Sequence, residues 1–190
     1  MRDLNRNLNP KRAAWLMTDP RMAGDLFAAL HALPPGAGVV FRHQHLPRAE
    51  RHALFLRVRR LAKARRLRVS VAGDLPGAGA HNRPRALTHA AHDRRQAVAA
   101  ARAGARHLFV SPVFPTRSHP GHAALGVTRA LSVARSLPAQ AVALGGMTPR
   151  RFLRLRHLGF AAWAAIDALA PRSSSAGRDP QVIDAVPSRP

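Results

Sequence analysis

Short apolar runs alternate with longer segments of helical period along most of the chain. AAWLMT (13–18), GVVF (38–41), LRVSVAG (67–73), ALTHA (86–90), RHLFVS (106–111), AQAVALGG (139–146) and FAAWAAI (160–166) have the length and composition of buried strands. Between them the spacing predicts helices over about 21–32, from Pro47 to about Arg66, from Asp93 through Ala103, near Thr128–Ser136, and from Thr148-Pro149 to about Leu158. Gly104 stops the third of these, and Thr148 followed by Pro149 is an N-cap residue with proline in the first turn. One stretch breaks the rhythm. DLPGAGAHNRPR, residues 74–85, leaves no room for a helix of normal length.

Apolar strands that alternate with helices need cover on both faces, which argues a parallel sheet. Seven or eight such units argue a closed (β/α)8 TIM barrel of the α/β class, with shortened third and eighth helical segments. A doubly wound open sheet is the alternative. The domain limits read as an N-terminal tail at 1–12, one barrel at 13–170 and a flexible C-terminal tail at 171–190, where Ser, Pro and Gly occur in loop proportions. In a barrel the chemistry belongs at the C-terminal ends of the strands. Those ends carry Thr18-Asp19, Arg42 to Gln44, Gly73-Asp74, His89 to His92, Ser111 to His119, Gly145-Gly146 and Ile166-Asp167.

Composition narrows the chemistry. The chain has 190 residues, is 46% hydrophobic and contains no cysteine, which excludes disulfides, thiolate metal sites and a cysteine nucleophile. No apolar run reaches the length of a membrane span, and no signal-type segment follows the charged N-terminus, so a cytoplasmic protein is expected. Only nine residues are Asp or Glu, so any carboxylate acid, base or metal ligand comes from a short list. The formal charge is +22, nearly all of it arginine. RVRRLAKARRLR (57–68) and TPRRFLRLRH (148–157) are the densest basic runs, and clustered arginine is what a phosphate backbone attracts. Both runs also keep Leu, Val or Phe at helical spacing, as amphipathic helices with solvated faces do. No zinc-finger spacing or aromatic RNA-binding signature accompanies them, so nucleic acid is not expected as the partner.

HLFVSPVFPTRSHPG, then QAVALGGMTPRRF, then LGFAAWAAIDAL resemble the thiamine phosphate synthase and thiazole tautomerase family, as a divergent member. LMTD at 16–19, Arg42, Asp74 and the Ala90–His92 segment support the match, which spans about residues 13–169. The resemblance implies an enzyme of thiamine biosynthesis. Such an enzyme is a transferase that joins a hydroxymethylpyrimidine diphosphate to a thiazole phosphate and releases pyrophosphate, with magnesium as cofactor. Its partners would be those small phosphorylated substrates, with no membrane. By the same resemblance Arg42 and His119 are the catalytic cations toward the diphosphate. Thr116, Ser118, Gly145, Gly146 and His92 bind substrate, and Asp74 is a magnesium ligand.

The sequence departs from the family pattern where charge matters. Val40 and Gln44 replace an amide and a cation, and Gly73 replaces an asparagine before Asp74. Ala90 replaces a serine, and Asp167 replaces a phosphate-contacting serine. No second magnesium carboxylate is found, and the loop position of the tautomerase base is Pro112. Each candidate keeps a structural alternative. Gly145-Gly146 can be a tight turn, Thr116 and Ser118 can bond their own loop, and His92 can be a surface histidine. A barrel of the same family that only binds a ligand therefore stands beside the synthase.

Overall fold

The computed structural model describes residues 10–22, 24–77, 79–116 and 123–170. Eight parallel strands close on one another in chain order, and β8 pairs with β1. The strands are β1 (Ala14–Met17), β2 (Gly38–Phe41), β3 (Arg68–Ala72), β4 (Gly79–His81), β5 (Thr88–Ala91), β6 (His107–Val110), β7 (Gln140–Leu144) and β8 (Ala162–Ala165). The helices are α1 (Leu26–Ala32), α2 (Arg48–Ala64), α3 (Arg94–Arg102), α4 (Gly126–Ala134) and α5 (Pro149–Leu155). The expected barrel is present.

Two elements differ from the sequence pattern. The segment 74–85 contains a strand, β4, and neither β3–β4 nor β4–β5 has a helix among its described residues. The shortening thus reaches two successive connections, one more than expected. Among the described residues after β8 there is a 3-10 turn at Asp167–Leu169, in line with the shortened eighth segment expected. The first predicted helix is also split: a 3-10 turn at Pro20–Met22 precedes α1.

Strand β4 is held from inside the barrel. Ser70 Oγ donates to Ala80 O at 3.0 Å, so Thr88 Oγ1, 2.6 Å away, donates to Ser70, and His81 Nδ1–H donates to Thr88 at 2.8 Å. All three side chains are buried, and their mutual bonds satisfy groups that water cannot reach. Burial first, then the nearby His89 and Arg42, lower the His81 pKa to about 4. At the floor, Trp15 lies against His107 and Phe109, with ring centroids 5.1 and 5.4 Å apart, under the Arg68 guanidinium. Gly38 sits beside this indole; a Cβ there would come within 2.1 Å of the ring. Outside, Trp163 of β8 stacks on Phe152 of α5. No helix among the described residues is long and apolar enough to cross a membrane.

Candidate active site

The C-terminal strand ends open into a cavity of about 1110 Å³ between the ends of β1, β2 and β5–β8. Arg42, His92, Thr116, Gly145 and Gly146, all singled out from sequence, line it together. Arg150, Arg151 and Asp167 complete its charged wall.

Arg42 follows β2 and is fixed by the end of β1. Its N–H donates to Thr18 Oγ1 at 2.9 Å, its Nε to Thr18 O at 2.8 Å and its terminal nitrogen to Asp19 Oδ2 at 2.7 Å. Asp19 also accepts from Arg21, through the backbone N–H at 3.1 Å and Nε at 2.7 Å. Burial raises the Asp19 carboxyl pKa, but the bonds and charges of Arg21 and Arg42 outweigh it and hold the group below its ordinary value. Arg21 in turn lies 3.7 Å from Asp167. Burial works on Arg42 in the opposite sense and lowers its pKa against the pull of Asp19; an arginine stays cationic through such a shift.

Arg51, a buried arginine of α2, ties two strand ends together behind this pair. Its Nε donates to Arg42 O at 3.0 Å and a terminal nitrogen donates to Ala72 O. Its guanidinium lies over Phe41. Next along β2, His43 stacks on Phe41 and meets Thr18 Oγ1 at 3.0 Å. Burial, then the neighbouring His45, push its pKa down. Sequence reasoning missed Arg51 because an arginine in a basic helix reads as solvated. Its position at the core phase, with Phe55, Val58 and Ala62, was the available signal.

His92 follows β5. Its Nδ1–H donates to Ser111 O at 2.8 Å, and Nε2 takes no part in that bond. Gln96 Oε1 accepts from its backbone N–H.

Gly145 and Gly146 follow β7 with φ of +91° and +60°. The loop after β6 presses on them: a Cβ on Gly145 would lie 2.8 Å from Pro112 Cα, and one on Gly146 would lie 2.6 Å from Pro115 O. Val113 N–H donates to Leu144 O and Phe114 N–H to Gly145 O. Arg151 donates to Gly146 O and stacks on Phe114. Positive φ and close packing are therefore sufficient to require glycine at both positions. Their N–H groups donate to no acceptor among the described residues.

Asp74 lies elsewhere. Its carboxylate is 81% exposed and pairs with Arg83 at 3.2 Å. No group of three or more His, Asp or Glu among the described residues could hold a metal ion. These residues do not fit a magnesium site, since a hard cation takes six or more oxygens and Asp74 brings one carboxylate already paired. Ser118 and His119 lie outside the described residues.

The described arrangement can bind anions. Arg42 comes from the β2 end, Arg150, Arg151 and the glycine N–H groups from the segment after β7, and the His92 imidazole from the β5 end.

Residues 78–169 match the family model for thiamine monophosphate synthase. Among solved structures, the chain is similar to a thiamine phosphate pyrophosphorylase from Pyrococcus furiosus, with 20% identity and a TM-score of 0.70 over 85% of this chain and 89% of that one. It is also similar to a chain described as native KDPGal, with 15% identity and a TM-score of 0.52 over 85% of each. No curated protein matches the chain in sequence. At these identities the solved structures speak for the barrel fold alone. Residues 78–169, just under half of the chain, are thus similar to the thiamine monophosphate synthase family.

Proposed function

We propose that this protein is a thiamine phosphate synthase-like transferase of thiamine biosynthesis, working in the cytoplasm. It condenses a hydroxymethylpyrimidine diphosphate with a thiazole phosphate. The new bond joins the pyrimidine's exocyclic methylene to the thiazole, the carbon–oxygen bond to the diphosphate breaks, and pyrophosphate leaves. The observation that carries the reading is the single cavity lined by Arg42, His92, Thr116, Gly145 and Gly146.

Negative charge grows on the leaving diphosphate as the carbon–oxygen bond breaks. A cation already fixed in place stabilises that charge without reorganising. Arg42 suits the task because Asp19 and Thr18 hold its guanidinium at one strand end. The N–H groups of Gly145 and Gly146, beside Arg150, suit the thiazole phosphate, and Thr116 offers a hydroxyl to the same substrate. His92, with Nδ1–H fixed on Ser111, leaves Nε2 for the substrate. Arg21 partly offsets Asp167, whose charge opposes a phosphate at the β8 end.

The test is complementation of a thiamine-requiring strain that lacks its own synthase. Growth on medium without thiamine supports the reading. Absence of growth with folded protein in the cells favours the second reading, a barrel that binds a phosphorylated ligand without condensing it. The pairing of Asp74 with Arg83 is what favours that alternative.

A further inference from the structure

Helix α2 carries a basic flank, most of it exposed, although the Arg59 guanidinium packs over Phe55. Its buried side carries Arg51, Phe55, Val58 and Ala62. On one flank Arg57 lies over Phe27 of α1, with centroid distance 4.6 Å. By helical phase the opposite flank carries Arg48, His52, Arg59 and Lys63, which are 4, 7 and 4 residues apart, with Arg60 at its solvent edge next to Lys63. The Arg59 guanidinium indeed occupies the space beside Gly77, in the β3–β4 connection. In a barrel with every crossover helix, the helix between β3 and β4 would cover this flank. Here the described chain runs straight into β4, and the next connection presents Arg85 to solvent.

Such a flank is costly to the isolated chain. Arg59–Lys63 and Arg60–Lys63 are like-charge pairs one turn apart, which destabilise a helix. Arg48, Arg59, Arg60 and Lys63 are exposed, and none has a carboxylate within 4.0 Å among the described residues. Amphipathic spacing explains the buried face, but it does not explain a solvated face lacking the usual mixture of charges. We propose that this flank binds the phosphate backbone of a nucleic-acid duplex. This departs from the expectation drawn from sequence. The large apolar side chains that are exposed are Leu56, Leu153 and Leu158, with no aromatic ring among them. Without an exposed Phe or Trp among the described residues, contact with the backbone of a duplex is favoured over a splayed single strand. Binding is independent of base sequence and of the barrel's cavity.

Fluorescence anisotropy of the full chain with two 24-base-pair DNA duplexes of unrelated sequence, from 50 to 300 mM KCl, tests this. Equal affinities are expected, with log Kd changing by about 3 to 5 per decade of salt for four or five phosphates neutralised. Replacing Arg48, Arg59, Arg60 and Lys63 together by Gln should weaken binding about tenfold or more at 150 mM and reduce the slope by about 3. Replacing Arg12, Arg106, Arg129 and Arg154 by Gln removes the same charge elsewhere and should cost much less. Thermal melts and circular dichroism confirm that both variants fold. Equal losses in the two variants, preference for one sequence, or no binding at 150 mM would overturn the proposal.

Discussion

Gly146 shows how one residue can serve a turn and a site at once. Its φ of +60° is unfavourable for a side chain, and Pro115 O and Phe114 Cβ fill the space where one would go. Gly146→Ala should therefore lower stability by about 2 kcal/mol or more and push the loop after β6 away. A thermal melt reads the first effect, and weakened thiazole phosphate binding by calorimetry reads the second. An alanine variant with unchanged melting would mean that the loop yields freely. Other residues of the mouth were legible in different degrees. Arg42, His92 and Thr116 stood out because strand ends carry a barrel's chemistry, and they do share one cavity. Asp19 drew notice only as a residue at the end of the first strand. Its bonds to both Arg42 and Arg21 come from side chains 23 and 2 residues away, and no local pattern encodes the former.

At the scale of elements, β4 was invisible in the sequence for a physical reason. It has three residues, Gly79–His81, and its anchor is a chain of hydroxyl and imidazole bonds in place of apolar burial. A search for apolar runs cannot find such a strand. Its neighbours, with four or five residues and mainly apolar side chains, were found to within a few positions. The same anchor makes this part of the barrel acid-sensitive. His81 and, at the floor, His107 each fall from 6.5 to about 4, in both cases mainly through burial. Charges on Arg68 and Arg106 add to the shift of His107. The unfolded chain takes up these protons near pH 6.5 while the folded one does not. Stability is thus fully present above 6.5 and is lost as pH falls toward 4, by about 3 kcal/mol for each histidine. Urea unfolding midpoints should drop steadily over that window. In Thr88→Val the His81 Nδ1–H loses its acceptor, and stability should fall by about 1–3 kcal/mol at pH 7.5 as well. A flat profile between pH 6.5 and 4 would show that both rings are more open to water than their burial indicates.

For the whole molecule, alternating pattern gave the barrel because every strand but one is apolar and five helices remain between them. It gave less of the omitted helices, since a short connection can contain a turn, a strand or a single helical turn at equal length. What the omission does is distribute function over two surfaces. The mouth holds a cavity lined by arginines and by backbone N–H groups, and the α2 flank holds exposed positive charge. The central claim concerns the mouth, and one assay addresses it directly. Purified full-length protein is given hydroxymethylpyrimidine diphosphate and thiazole phosphate, with magnesium salt present, and both pyrophosphate and thiamine phosphate are measured. The expected result is equal amounts of the two products, with Arg42→Ala reducing the rate about 100-fold or more while the melting temperature shows the variant still folded. Pyrophosphate release that ignores the thiazole phosphate, or a folded parent protein that forms no thiamine phosphate, would contradict the account.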